Sequence, residues 1–482
     1  MTTFLSKGKR EIYSRKIKGF WEEFSHNKIG LFGLLLLLMF IGMAVFAPWL
    51  TPYDPLSNPR VAESFAMPQW VAILPQYQDY PQTMRISPYW EVRNGSEFVE
   101  ILPGREVEAR FSMTGEMKLV VISLNTSFFY PHDVPPKRFT VLFQWRATNV
   151  TNVFYSAKLH LINPNGTSTR IWFWPYKGFS AGQSVIVESS DRWLLVDLGY
   201  TDPKAINLAH IIFANPTKGQ YRLIFEAAFR PTEDAKIAEA KITIQTFEFV
   251  VPGLLHGILG TDAMGSDVFS QLIYGSRLSL VIGIMAAVIS TSIGVLVGVV
   301  SGYLGGAVDE GLMRVVDILL CLPMLPLLLT LVKLFGKNVF YIIIFVAMFG
   351  WLGLSRTIRA QVLSIRETTF VESAVASGAS KPYIMFKHLV PNVAPIALAS
   401  LVLSVPAGIL TEAALSFLGF GDPRVPTWGK MLNYAFGHGA FENFAWWWAL
   451  PPGIAITLIC LAFVFMGFAI DEIVNPRLRR RR

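Results

Sequence analysis

The side chains able to do chemistry fall into a few groups. His256, Asp262 and Asp267 are of metal-ligating type, but their irregular spacing suits helix caps and loop hydrogen bonds better than a metal site. Glu310, Arg314 and Asp317 follow one another at steps of i, i+4 and i+3, the spacing of local helix pairs at a membrane edge. Glu412 stands near the end of an apolar run, where an ionisable group either lines a path or rests in the interface. No G-x-x-x-x-G-K-[ST] string occurs, so ATP chemistry has no P-loop to rest on here. A different kind of segment runs from Glu372 to Asn392, E-S-A-V-A-S-G-A-S-K-P-Y-I-M-F-K-H-L-V-P-N. It is polar, rich in small residues and helical in character, set between strongly apolar stretches.

The elements that must position these groups are mostly membrane spans. Of the 482 residues 52% are hydrophobic, and a polar block of roughly two hundred residues interrupts the apolar ones. About 20 helical residues at about 1.5 Å each cross about 30 Å of hydrocarbon. Six segments meet that length, near 29–50, 278–303, 312–332, 339–354, 396–415 and 452–470. The first is longer than the core of a signal peptide and no A-x-A site follows it, which favours an anchor. Lys7, Lys9, Arg10, Arg15, Lys16, Lys18 and Lys28 precede it, and Arg477 and Arg479 to Arg482 follow the last span. Six spans put both basic tails in the cytoplasm, together with residues 356–395 and their Arg359, Arg366, Lys381 and Lys387. The formal charge of +8 is therefore read as topology rather than as nucleic-acid binding. Cys321 and Cys460 both lie in apolar runs and form no disulfide framework. Ile12, Ile17, Phe20, Trp21 and Phe24 recur near helical spacing, as in an interfacial helix or a partly ordered tail.

Between about Pro55 and Val251 the pattern changes to alternation. Phe139, Val141, Phe143 and Trp145 alternate with Thr140, Leu142, Gln144 and Arg146, and Asn163–Gly166 reads as a turn into Arg170–Trp174. Further strands are expected at Leu119–Ser123, Val185–Glu188, Tyr221–Phe229 and Ile242–Val250, which together suggest an all-β sandwich outside the cell. N-x-S/T triplets at Asn94, Asn125, Asn149 and Asn165 all fall in this block. Its Trp and Tyr residues either fill the core or stack on sugar rings. The expected organisation is a cytoplasmic tail (1–28), a first transmembrane helix (29–50), an extracellular β-rich insert (51–255) and a helical core (256–482).

The Glu372–Asn392 segment resembles the EAA loop of ABC-importer permeases, with Glu372, Ala374 and Gly378 at the E-A-A-x-x-x-G spacing and Ser373 in place of the alanine at the motif's second position. Ala47–Pro55, Leu259–Asp267, Tyr274–Leu280, Gly302–Asp309, Leu415–Gly421 and Pro426–Leu432 resemble, in order, strings of the dipeptide/oligopeptide/nickel class. Ser266 stands where that class has Arg, Asn475 replaces the Asp of a terminal D-P-R-L, and the insert has no counterpart in a typical member.

The resemblance implies a polytopic helical permease of the type I importer fold that imports peptides or oligosaccharides and has no ATPase site of its own. It implies no cofactor on this chain, ATP and Mg being used by partner subunits. The partners implied are a second homologous permease, two cytoplasmic ATPases and an extracellular substrate-binding protein, with no nucleic acid. ATPase coupling would fall to Glu372, Ser373, Ala374, Gly378, Ala379, Lys387, Pro391 and Asn392, and Glu412 is the candidate for the substrate path. Gly294, Gly298 and Gly302 form G-x-x-x-G steps that suit packing within this chain or against the second permease. The alternative reading is a membrane-anchored surface protein whose β domain binds or processes glycans.

Overall fold

The structure, a computed structural model, describes residues 18–56, 60–87, 89–94, 96–114, 118–199, 207–214, 216–233 and 235–474. Most of the basic tail residues, Ile12, Ile17 and Asn475 lie outside these. The chain forms two compact units, Pro59–Asp267 and the remainder.

The helical unit begins with a helix over 18–26, followed by α1 (Lys28–Leu50), whose Asn27 side chain caps the first turn by accepting from Gly30 N–H. Phe20 and Trp21 of the preceding helix are exposed, whereas Phe24 is buried. Buried positions on α1, Gly30, Gly33, Leu37, Phe40 and Ala47, recur three or four apart, the signature of one packed face. That face lies on α11 (Trp446–Val474), where Gly30 and Gly33 leave room for Ala469 and Ala462.

Helix α2 (Val268–Leu304) is the central element and packs on α6 (Leu352–Arg366) and α9 (Val390–Phe417). A Cβ at Gly298 would lie 2.7 Å from Ser355 O and Ile358 Cβ, and one at Gly302 2.9 Å from Arg359 O and Val362 Cβ. The G-x-x-x-G face is thus used inside this chain, against α6.

Among the described residues, five helices are long and apolar enough to cross a membrane: α1, α2, the run Val339–Arg366 (α5, Val339–Gly350, with α6), the run Lys381–Phe417 (ending in α9) and α11. The third expected span is not one straight helix. It is split into α3 (Gly306–Cys321) and α4 (Met324–Phe335), bent by 88°. Pro323 lacks an N–H and cannot continue α3, while the extended backbone at Leu322 redirects the chain. The run expected to leave the membrane at 354 continues as helix to Arg366, so the first part of the 356–395 loop belongs to the same rod as the span.

Pro48 and Arg277 explain each other. Within α1, Pro48 cannot donate to the carbonyl of Ala44. The Arg277 guanidinium on α2 supplies the donors, Nε to Ala44 O and Nη2 to Val45 O at 3.3 Å, and stacks over Tyr274 at 5.0 Å. In a bilayer, a carbonyl freed by proline must find such a partner.

The other unit is a β sandwich. One sheet has the order β3-β4-β11-β6-β9 with β1 on β11, the other β2-β5-β10-β7-β8, and every pair is antiparallel. The strands are β1 Met84–Ile86, β2 Glu91–Asn94, β3 Val99–Leu102, β4 Val107–Thr114, β5 Val120–Tyr130, β6 Thr140–Thr151, β7 Val153–Ile162, β8 Ser168–Lys177, β9 Ala181–Glu188, β10 Gly219–Pro231 and β11 Ile237–Val251. Alternate residues of β6 (Val141, Phe143, Trp145) point into a core with Trp90, Phe229 and Phe249. Most of the tryptophans in this unit therefore fill the interior or pack against it, although Trp70 and Trp193 remain exposed.

Below the sandwich lies a neck in which residues 60–67 lie against 253–267. Val61 N–H bonds Gly265 O at 2.8 Å, Phe65 N–H bonds Asp262 O at 2.9 Å, and Met67 N–H bonds Leu254 O at 2.8 Å. Asp262 and Asp267 serve this neck. Asp262 Oδ1 accepts from Met264 and Ser266 N–H at 2.8 and 2.9 Å, and Asp267 lies 3.3 Å from His256 Nε2. Among the described residues no three His, Cys, Asp or Glu side chains gather as a metal site. The Glu63–Arg138 pair, with Nε at 2.7 Å from Oε2, fixes the sandwich to the neck. The chain enters and leaves the sandwich side by side: Gly253 N–H donates to Thr83 Oγ1 at 3.0 Å, and a Cβ on Gly253 would sit 2.3 Å from the Gln82–Thr83 backbone.

Candidate coupling site

Helix α7 (Thr369–Ala376) starts after α6 with only Glu367 and Thr368 between them. Glu372 lies in its first turn, where a carboxylate complements the positive end of the helix dipole. Gly378 ends the helix in the left-handed region, at φ +76°. Its N–H bonds Val375 O at 2.9 Å, while Ala379 N–H reaches back to Ala374 O at 3.1 Å. This is a Schellman cap, in which the glycine is needed for its backbone conformation. Nothing lies within 4 Å of a Cβ placed there, so space is not the constraint.

The two alanines of the cap, Ala374 and Ala379, pack against an apolar cluster of Val371, Ile384, Leu389 and Val393 with Val299 of α2 and Ile358 and Val362 of α6. Glu372 and Ser373 face outward, beside exposed Phe370 and Val375. A groove of about 460 Å³ runs along the same helix, lined by Tyr303, Arg366, Glu367, Val371, Glu372, Val375 and Ala376.

After α8 (Lys381–Ile384) the helix widens into a π turn, Met385–Leu389, closed by Val390 N–H to Met385 O. Pro391 and Pro395, without N–H groups, follow at once in the first turns of α9. The Asn392 side chain donates to His388 O at 2.7 Å and stitches the junction. Lys387, Pro391 and Asn392 are exposed. The residues from Glu372 to Asn392 thus form one relief mounted on the ends of α2 and α6.

Glu412 is elsewhere. It is 1% exposed, accepts from Ser416 Oγ at 2.6 Å, and packs where α9 meets α10 (Trp428–Gly437), so it faces protein within this chain. That joint is built by the Pro426–Leu432 string. Thr427 caps α10, and Trp428 Nε1 donates to Leu272 O at 2.9 Å on α2. Beside it, Arg424 hydrogen-bonds both oxygens of Asp422 and holds that carboxyl below the usual carboxylate range.

Sequence spacing alone misses a row of ion pairs along α6. Arg359 makes a forked contact to both oxygens of Asp309 at 2.5 Å, and Ser301 also donates to Asp309. Glu310 and Arg314 do form the expected local pair at 3.9 Å, but Asp317 pairs with Arg356 on α6 instead. The signal was the set of arginines on α6, whose partners are remote in sequence.

Spans packed around glycine faces, with a capped small-residue helix at their ends, define a polytopic helical membrane protein. Comparison with known proteins gives the family. Residues 294–480 match the binding-protein-dependent transport system inner membrane component, and residues 17–68 the N-terminal TM domain of oligopeptide transport permease C. The dipeptide transport system permease protein DppC of Bacillus subtilis (strain 168) is 38% identical over 222 residues, 46% of this chain and 69% of that protein. The oligopeptide transport system permease protein OppC of Haemophilus influenzae is 38% identical over 226 residues, 46% of this chain and 71% of that protein. The glutathione transport system permease protein GsiD of Pectobacterium atrosepticum is 32% identical over 222 residues, covering 46% and 73%. The chain belongs to this family of permease subunits of ABC importers.

Among solved structures, the carbohydrate-binding module TmCBM61, in complex with beta-1,4-galactotriose, aligns over 33% of this chain and 86% of its own at 10% identity and a TM-score of 0.19. That score assigns neither ligand nor role, and the anchored glycan protein keeps no support from it.

Proposed function

We propose that the chain is one of two related permeases forming the path of an ATP-driven peptide importer, oriented with both termini and the Glu372–Asn392 relief in the cytoplasm and the β sandwich outside. The observation that carries this reading is the α7 relief, capped at Gly378, exposed at Glu372 and Phe370, and rooted in the cluster of α2 and α6. Two ATPases dock there, bind and hydrolyse ATP with Mg, and this chain contributes no ATPase site. A separate extracellular protein delivers substrate. Peptide is favoured over oligosaccharide because the relatives' names specify dipeptide, oligopeptide and glutathione. The sandwich serves as a docking or guiding surface for the delivering protein. Alternating access then arises as the ATPases close and carry the α7 relief with them.

Co-reconstitution of this chain with a homologous permease, two ATPases and the binding protein in vesicles tests the reading. ATP-dependent accumulation of a labelled peptide is expected, with ATP hydrolysis stimulated by the loaded binding protein. Accumulation of oligosaccharide alone would move the substrate class, and accumulation of neither would overturn the importer assignment for this chain.

Sidedness is tested separately, because a bent α3–α4 pair that re-enters rather than crosses would leave five spans and put the termini on opposite sides. In protein with Cys321 and Cys460 replaced, Ser168→Cys is expected to react with an impermeant thiol reagent outside intact cells and Ser380→Cys is not. Both sites are exposed. Labelling of Ser380→Cys from outside would overturn this arrangement: labelling of both sites means five spans, and labelling of Ser380→Cys alone a reversed orientation.

A further inference from the structure

We propose that the Asp309–Arg359 ion pair is the latch by which the α7 relief moves the bent third span, so that closure of the ATPases reaches the elbow at Leu322–Pro323. The inference rests on the importer reading above and assigns a role to an aspartate that the docking relief does not use.

Helix α6 carries α7 at its end, and three of its arginines reach across to the same stretch of chain. Arg366 donates to Gly302 O at 3.3 Å, Arg359 forks onto Asp309 at 2.5 Å, and Arg356 pairs with Asp317. The contacts therefore run from the end of α2 to the second half of α3. They differ in quality. The side chains of Asp309 and Arg359 are 15% and 34% exposed, against 53% and 50% for Asp317 and Arg356. A planar fork on a partly desolvated carboxylate fixes both distance and angle, whereas an exposed pair holds little. Asp309 is further held by Ser301 Oγ and by its place in the first turn of α3, where the helix dipole favours a carboxylate.

Apolar packing does not do this job. Of the α3 side chains only Val316 is fully buried. Met313 and Leu319 add partial contacts, Ser301 ties Asp309 to the end of α2, and the two cross-helix ion pairs of α3 both go to α6. At its far end α3 turns by 88° into α4, which has just Leu328 and Val332 fully buried and ends at Gly336 with φ +99°. Displacement of α6 by the docked ATPases is then delivered through Asp309 to α3, and the elbow converts it into a change of angle at α4. Coupling of this kind needs an element that both ends bias, and the elbow is that element.

The test uses the reconstituted importer with Asp309→Asn and Arg359→Gln. Each variant is expected to remain assembled with its ATPases and to keep ATP hydrolysis stimulated by the loaded binding protein. Peptide taken up per ATP falls about tenfold, within the usual range of coupling between sites. The exchange Asp309→Arg with Arg359→Asp is expected to recover part of that ratio, a result that simple loss of stability would not give. Should Asp309→Asn fail to assemble, Asp309→Glu keeps the charge on a longer arm and is expected to give an intermediate ratio. Wild-type stoichiometry in both single variants, or an exchange no better than they are, would overturn the latch. Failure of the importer reading shows differently, as absence of peptide uptake by the wild type measured alongside.

Discussion

Gly378→Val is expected to abolish coupled transport while the protein still inserts and the spans still pack. At φ +76° a β-branched residue costs about 1–3 kcal/mol, and the cap can escape that cost only by unwinding the end of α7. Unwinding withdraws Ala374 and Ala379 from the cluster that roots the relief in α2 and α6. Both substrate-stimulated ATP hydrolysis and uptake should drop by about tenfold or more, since about 1.4 kcal/mol is enough for that factor. Gly378→Asn, which tolerates the left-handed region better, should lose much less. Glu372→Lys leaves the backbone alone and instead places a cation at the positive end of the helix on the exposed face, so it should weaken docking without loosening α7. Full stimulation of ATP hydrolysis in Gly378→Val would remove α7 from the coupling path.

Excision of the sandwich is expected to leave a working membrane part that engages its delivery protein poorly. The cut belongs at Thr83 and Pro252, with residues 84–251 replaced by a two-glycine bridge, because Gly253 N–H already touches Thr83 Oγ1 and Leu254 N–H already bonds Pro81 O at 2.8 Å. A cut beginning at 58 would strip the neck of Val61, Phe65 and Met67, whose N–H groups hold the 253–267 stretch. The shortened chain should insert, assemble with its ATPases and hydrolyse ATP at the basal rate. Affinity for the loaded binding protein should fall by about tenfold, the equivalent of about 1.4 kcal/mol. Unchanged affinity and uptake would leave the sandwich a shielding role only.

The membrane spans and much of the sandwich were legible because their signals are local. The leucine-rich run of α1 and the alternation of β6 each speak for themselves within a dozen residues or so. The elbow was not legible in the same way. Hydropathy averages straight across Leu322–Pro323, and the proline alone does not say whether the chain kinks or turns by 88°. Strands β1 to β4 were also missed, three of them only three or four residues long, and β1 and β4 held by β11 far along the chain. At the α7 relief the glycine could be picked out by type, but its left-handed φ and the paired hydrogen bonds of the cap needed coordinates. The Asp309 and Asp317 pairs were hidden because Arg359 and Arg356 lie 50 and 39 positions away, whereas the spacing rule sees only one turn of helix.

The bond from Arg277 to the carbonyl of Ala44 has a consequence for how this sequence can change over time. Pro48 and Arg277 stand in two separate motifs, yet the arginine is required only while position 48 withholds its N–H. Replacement of the proline by an ordinary helix former would return a donor to Ala44 and set it in competition with the guanidinium, which would keep only Val45 O uncontested. Loss of the arginine first would strand that carbonyl in hydrocarbon. Neither step is neutral alone, so an alignment of relatives is expected to show lineages that keep both or have surrendered both.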